Sequence, residues 1–497
     1  MSRISGPGHQ VLCIVRYLKH RFAPDRPPDL SSVTITPTQT LPHRGGGPVG
    51  VPVSGLREFA AAPTMGAFDP VGENLRLMQR KPANRRGLLL ILAVLSAIAP
   101  AALHMPVPSL PLLARVFDKG AAETELVLTL FLAGIAAGQL VYGPLSDRFG
   151  RRPVLLSGLF LFLLGSAVSG FAPSLPVLLW GRVLEALGGC AGLVIGRAII
   201  RDLYDKERAT RAIAVVTMAM TLAPSVSPAI GAYLALWVSW RADFALLGAI
   251  GAAALFLTAR RLAETNVERA PVNLVEMARS FVRLLRSRAF LGLAFASGFT
   301  SASWYTFTAS APYLLSEVLH QPISTYGLMI FIPMGGYIVG NAIAARSALF
   351  VGSSALFFWG LALSLAAGAL LALWSLGIGL SPWSMFVPMT VSSIGNGLSQ
   401  PPAIASGLSV YPRLAGAASG VIGFLQMAIS ALGTLLIGHL SQKTALPMIV
   451  VVSFFMVFAF LFGLFALKTT AAAAGSPAPL AETPRPGRSL IGGTPSD

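Results

Sequence analysis

From Leu88 onward the chain is a succession of apolar runs of membrane length, separated by short turns. A helix needs about 20 apolar residues to cross the hydrocarbon core of a bilayer. Twelve such runs follow one another, over 88–111, 124–145, 154–172, 175–199, 210–235, 240–262, 290–315, 325–346, 354–375, 382–406, 415–438 and 446–468. They lack the two-residue alternation of barrel strands and are far longer than such strands. Lipid supplies no hydrogen bonds, so each run must satisfy its own backbone, which a helix does. The expected fold class is an all-α membrane protein with twelve transmembrane helices. Only 11% of the 497 residues are charged, against about 25% in soluble domains.

A formal charge of +17 would suit a nucleic-acid partner. Here the arginines lie between apolar runs and form no basic domain, which excludes that partner. The turns after even-numbered helices hold sixteen Lys and Arg, and those after odd-numbered helices hold four. Cationic turns stay in the cytoplasm, so both termini are expected there. The longest internal loop, 263–289, splits the spans into six-helix bundles over 87–262 and 290–468. Within it, 272–285 has apolar residues at near-helical spacing and arginines opposite, as in a helix lying on a membrane surface. The flanks 1–86 and 469–497 are rich in Pro, Gly and Ala and read as disordered tails. For the first, a natural start at Met65 or Met78 is the other reading. The two cysteines, Cys13 and Cys190, lie in unlike surroundings, and no Cys/His cluster suggests a metal or cofactor site.

The most specific stretch is 138–153, G-Q-L-V-Y-G-P-L-S-D-R-F-G-R-R-P. An apolar run stops at Gly143-Pro144, Asp147 and Arg148, Arg151 and Arg152 follow, and another apolar run starts at Val154. A merely topogenic turn would need the arginines but neither Asp147 nor the glycines. Gly143, Leu145, Asp147, Arg148, Gly150, Arg151 and Arg152 together resemble the loop 2–3 signature of the major facilitator superfamily. The flanks resemble its Bcr/CflA-type drug–proton antiporters, as do P-x-x-x-H-M-x-x-P-x-L-P (100–111), G-R-A-I-I-R-D (196–202), S-W-R-A-D-F (239–244) and A-G-A-A-S-G-V-I-G-F-L-Q-M (415–427). The resemblance covers most of the spans and neither tail. It implies two bundles rocking around a midplane site, with Gly143, Asp147, Arg148, Gly150, Arg151 and Arg152 as a cytoplasmic gate between them.

Other matches are partial. Helix 4 keeps Leu178 and Arg182 of a family signature, while Glu185 replaces Gln and Ala186 replaces Gly. Arg182 and Glu185 share a helical face; ionisable groups at that depth face a partner or a wet cavity. The pair either handles protons or only locks the bundle. Helix 5 resembles the antiporter motif through Pro228 and Gly231, with Ala223, Ser227 and Ala232 at eroded positions and Pro224 added; ordinary small-residue packing is the alternative. Helix 1 carries His104 where the family has Asp. Histidine can carry a proton, and His104 and Glu185 lie within roughly one or two turns of the same depth. They are therefore expected to work as a linked pair, unless His104 only hydrogen-bonds a substrate or a carbonyl.

The second half offers aromatics and amides: Trp304, Tyr305, Phe307, Tyr337, Asn341, Asn396, Gln400 and Gln426. An unpaired amide in lipid is costly, and such walls suit moderately apolar organic ligands. Each aromatic alone reads equally as packing. Asn396, in G-N-G ahead of Gln400-Pro401-Pro402, suggests a helix break. No nucleophile–base pair, paired carboxylate or Walker A loop occurs, which points away from an enzyme and from direct use of ATP. The expectation is a monomeric multi-pass protein of the bacterial inner membrane that moves small drug-like compounds or metabolites against protons. A non-transporting receptor or scaffold on the same fold is the remaining class.

Overall fold

A computed structural model describes residues 85–474 apart from 205, 267–273 and 441–443. The tail expected over 1–86 lies outside the described residues but for its last two. That over 469–497 does so but for its first six, which continue the last helix. The described elements in order are α1 (Arg85–His104), α2 (Leu110–Phe117), α3 (Ala121–Phe149), α4 (Arg151–Gly170), α5 (Leu175–Leu203), α6 (Lys206–Trp237), α7 (Arg241–Arg261) and α8 (Leu274–Arg286). Then come α9 (Arg288–Tyr313), α10 (Ile323–Met329), α11 (Phe331–Val351), α12 (Ser353–Gly377), α13 (Pro382–Val410), α14 (Ala415–His439) and α15 (Leu446–Ala474).

Among the described residues, ten stretches are both long and apolar enough to cross a membrane. The other two expected spans are α9 and α13, 26 and 29 residues long. Length is not their shortfall. α9 is crowded with Ser and Thr, and α13 carries Asn396, Gln400 and three prolines. Both bury most of these groups against other helices.

The packing repeats. α1 lies against α5, α6 and α7, α4 against α5 and α7, and α3 against α5. Matched in order, α9 lies against α13, α14 and α15, α12 against α13 and α15, and α11 against α13. Apolar helices in lipid gain nothing by hiding from lipid, so close van der Waals approach has to hold them. Gly158, Gly165, Gly181 and Gly188 supply it between α4 and α5; a methyl group on Gly188 would overlap the backbone of Phe162. Gly360 and Gly395 do the same between α12 and α13. The two sets meet along a long α3–α14 seam, where Gln139 lies on Gly420 and Gly423, Thr129 hydrogen-bonds Thr434 at 2.8 Å, and Glu125 lies on Gly438. On the other side α10 brings Gly327 onto Pro228 and Ala229 of α6.

Several boundaries differ from expectation for local reasons. The first run does not stay helical to 111: α1 ends at His104, and Pro106, Pro108 and Pro111 turn the chain through a 3-10 segment into α2. Conversely, α3 does not stop at Gly143-Pro144 but runs on to Phe149. The expected basic turn is thereby reduced to one residue, Gly150, with φ +99° and ψ 152°. That region is essentially reserved for glycine. Gly143 has no such need, since a Cβ there would meet nothing within 4 Å. The break expected at Asn396 is absent, because α13 is continuous from Pro382 to Val410. Its glycines instead admit neighbours: Gly395 admits α12, and Gly397 lies on Tyr337 and Asn341 of α11. The surface helix expected over 272–285 is α8, whose Leu284 is fully buried in a cluster with Phe290, Ala418 and Ile422.

Gly150→Ala is expected to cost about 1–3 kcal/mol through the forced backbone geometry, and Gly143→Ala almost nothing. Thermal unfolding of the two variants in detergent checks this; equal midpoints would show that α3 and α4 do not depend on this joint.

Candidate functional site

A cavity of about 380 Å³ lies where α1, α3, α5 and α6 meet α9, α11, α13 and α14. Eight of the expected residues line it: His104, Pro224, Trp304, Tyr305, Tyr337, Asn396, Gln400 and Gln426. His104 sits there because α1 ends on it, with Nδ1 of the ring 3.0 Å from the Pro100 carbonyl. Nε2 has no hydrogen-bond partner, and the ring lies 5.8 Å from that of Tyr305. The amides are organised as a chain. Gln426 Nε2 donates to Gln400 Oε1 at 3.0 Å, and Gln400 Nε2 donates to the Ser297 carbonyl at 3.2 Å. Asn396 Oδ1 accepts from Ser364 at 3.3 Å. Asn341 is outside the wall and holds it from behind, donating to the Tyr337 carbonyl at 2.9 Å.

Sequence reasoning did not assign two polar wall residues, Gln139 and Arg197. Both stood in motifs quoted for family likeness. Arg197 is exposed to the cavity, and among the described residues its hydrogen-bond contact is the weak approach of Nη2 to Met220 Sδ at 3.9 Å. No carboxylate is among the described lining residues. The signal was available: an arginine six residues before the end of an apolar helix, with no acidic residue within a turn of it.

Arg182 and Glu185 are not in the wall. Both are fully buried inside the first set of helices, with Arg182 Nη1 2.6 Å from Glu185 Oε2. Ser166 of α4 donates to Glu185 Oε1 at 2.9 Å, and Arg182 Nε donates to the Val127 carbonyl at 3.3 Å. His104 and Glu185 therefore do not meet as a pair. Similar depth said nothing about azimuth: α1 ends its face on the cavity, while Glu185 points away to α4. One residue touches both sites. Phe131 lines the cavity, and the Arg182 guanidinium lies 4.1 Å from its centroid on the buried side.

The basic joint forms a third group. Arg151 Nη1 lies 2.5 Å from Asp147 and Nε 3.2 Å from Asp202 of α5. Glu264, beyond α7, caps α4 by accepting from the amides of Arg151 at 2.9 Å and Arg152 at 3.1 Å. Such a carboxylate at a helix N-terminus satisfies groups the helix cannot. Arg152 donates to the Ala259 carbonyl at 2.8 Å, and Arg148 lies over the Phe149 ring. All these partners belong to 146–266, and none to α9–α15. In α6, Pro224 faces the cavity, whereas Pro228 and Gly231 pack; Gly231 lies on the Met105 carbonyl where α1 has just ended.

A family model described as Major Facilitator Superfamily matches residues 90–434. A chloramphenicol resistance protein of Pseudomonas aeruginosa is 30% identical over 366 residues, covering 73% of this chain and 86% of that one. A bicyclomycin resistance protein homolog of Haemophilus influenzae is 28% identical over 363 residues, covering 73% and 91%. The solved structure of a bacterial homolog to the human lysosomal transporter spinster, inward-facing and unoccupied, superposes with a TM-score of 0.63 over 79% of this chain and 98% of that one. At 17% identity that likeness shows the fold alone. The chain thus belongs to the Major Facilitator Superfamily, as a multi-pass membrane protein of its Bcr/CflA type.

Proposed function

We propose that the protein exports small organic compounds of the drug and antibiotic kind across the bacterial inner membrane in exchange for protons. The halves 87–262 and 290–468, six spans each with cytoplasmic termini, rock about the cavity as a monomer. The carrying observation is the wall itself: aromatic rings, a hydrogen-bonded amide chain, an unpartnered imidazole nitrogen and one guanidinium, drawn from both sets of helices. Such a surface binds moderately apolar compounds through ring contacts and orients them through a few polar groups. The names of the relatives support drugs as cargo. The intramembrane His104, Arg182 and Glu185 support proton coupling over a scaffold role, since a scaffold gains nothing from burying them.

A second reading, a dedicated metabolite exporter, is favoured by Arg197. A wall with a guanidinium and no carboxylate attracts carboxylates and phosphates and repels organic cations. Arg197→Gln should weaken binding of an anionic probe about tenfold or more, the worth of a charge-assisted hydrogen bond, and leave neutral chloramphenicol nearly unchanged. Tryptophan quenching titrations with both probes check this. Equal losses for the two would exclude a charge-selecting role.

Asp147 and its arginines act on turnover rather than on cargo. Among the described residues their bonds lie within 146–266, so the gate works by stiffening the joint of α4 with α3, the helix that lies along α14. Asp147→Ala is expected to slow export from everted vesicles about tenfold with the substrate Kd unchanged. A shift in Kd with unchanged turnover would place Asp147 in the binding machinery instead.

His104→Ala is expected to remove the response of chloramphenicol flux to an imposed proton gradient. Exchange of labelled for unlabelled chloramphenicol should continue. Undiminished gradient dependence would leave His104 a simple hydrogen-bonding residue.

A further inference from the structure

Asp243 stands at the start of α7, in the segment 239–244 that sequence reading used only as a likeness. Its exposure is zero, and neither carboxylate oxygen has a hydrogen-bond partner. Buried carboxylates without partners are rare and call for a reason. The charged group acting on it is Arg182. Arg182 is also fully buried, and its Nη2 has no partner either. The guanidinium lies 5.9 Å from the ring of Phe244, the neighbour of Asp243.

The cluster is thus one guanidinium and two carboxylates, Glu185 bonded to it and Asp243 beyond bonding distance, all shielded from solvent in this conformation. Other groups around it are neutral: Ser166 and Ser169 on α4, and Phe131 and the Val127 carbonyl on α3. Fully ionised, it carries one uncompensated negative charge where charge is expensive. Glu185 accepts two hydrogen bonds, from Ser166 and Arg182. Asp243 accepts none. One added proton would make the cluster neutral, and Asp243 is the carboxyl group not already held as an anion.

We propose that Asp243 is a proton-binding site of the transporter and that Arg182 is the switch that reads its occupancy. With the proton on Asp243, Arg182 is held by Glu185, the arrangement seen here. When a change of conformation admits water, the O–H bond of Asp243 breaks and that water takes the proton; the free Nη2 of Arg182 then turns onto the new carboxylate and bridges both acids. That movement slides the guanidinium across Phe131, which also lines the cavity. At Asp243, unlike at His104, cargo and proton are coupled through one ring, without a shared ligand. This rests on the antiport reading above and adds to it a proton site outside the cavity.

The test uses the full chain in proteoliposomes with chloramphenicol as probe. Two quantities are measured: flux driven by an imposed proton gradient, and exchange of labelled for unlabelled probe, which moves no net proton. Asp243→Asn is expected to cut gradient-driven flux about tenfold or more and to keep exchange within about twofold. Asp243→Glu should restore the gradient response. If the wild type ignores the gradient, the antiport reading fails and this inference with it. If the wild type follows the gradient and Asp243→Asn follows it equally, the inference alone fails. Should Asp243→Asn not reconstitute, infrared spectra of the wild type decide. A protonated-carboxyl band that moves when aspartate is carbon-13 labelled supports Asp243. A band that stays, or no band, overturns it.

Discussion

Hydrocarbon offers polar groups nothing to bond to, and the whole structure follows from that constraint. It dictates helices, because only they satisfy their own backbones in each crossing. It removes the hydrophobic drive between helices, so contact depends on small residues such as Gly188 and Gly360. It also makes each buried polar side chain an obligation. Gln400 and Gln426 meet theirs with each other and with α9. Arg182 meets most of its own through Glu185, the Val127 carbonyl and the face of Phe131. Among the polar atoms left over are ones on His104, in the cavity wall, and on Arg182 and Asp243, outside it.

The same constraint explains what could be read from the sequence. Spans were legible because apolar length is a one-dimensional property. His104, Trp304, Tyr305, Asn396, Gln400 and Gln426 were legible because a polar or aromatic residue inside such a span needs a polar or walled site. α9 and α13 show the cost of the same logic: lining a cavity leaves a helix less apolar than its neighbours. Asp243 and Arg197 were missed because they sit near helix ends, where a charge reads as an interfacial group. Glu125, buried at the α3–α14 seam, was missed for the same reason. Depth is set by tertiary packing around a helix end, and the sequence alone does not carry it.

Pairing was the least legible quantity. His104 and Glu185 share a depth but face different neighbours, since helix azimuth depends on which small residues find each other. Gly165 sets Glu185 against α4, and the prolines after His104 end α1 on the cavity. Motifs behaved similarly. Gly143 and Gly150 are equal in the signature, yet only Gly150 adopts a conformation that demands glycine. Gly143-Pro144 looked like a stop because proline usually ends soluble helices. Inside a packed bundle one missing backbone bond is tolerated.

The one-residue joint has a mechanical consequence. α3 and α4 are long rods meeting at Gly150 with no slack between them, and Glu264 clamps the second rod at its first turn. Two stiff members joined so closely transmit angle rather than absorb it. α3 carries Gln139 into the cavity and lies along α14, while α4 carries Ser166 to Glu185. A tilt of the first rod against its neighbour therefore arrives, geared by the elbow, at the hydroxyl that steadies a buried acid. In such a linkage, distance from the cargo is no measure of a residue's influence on it.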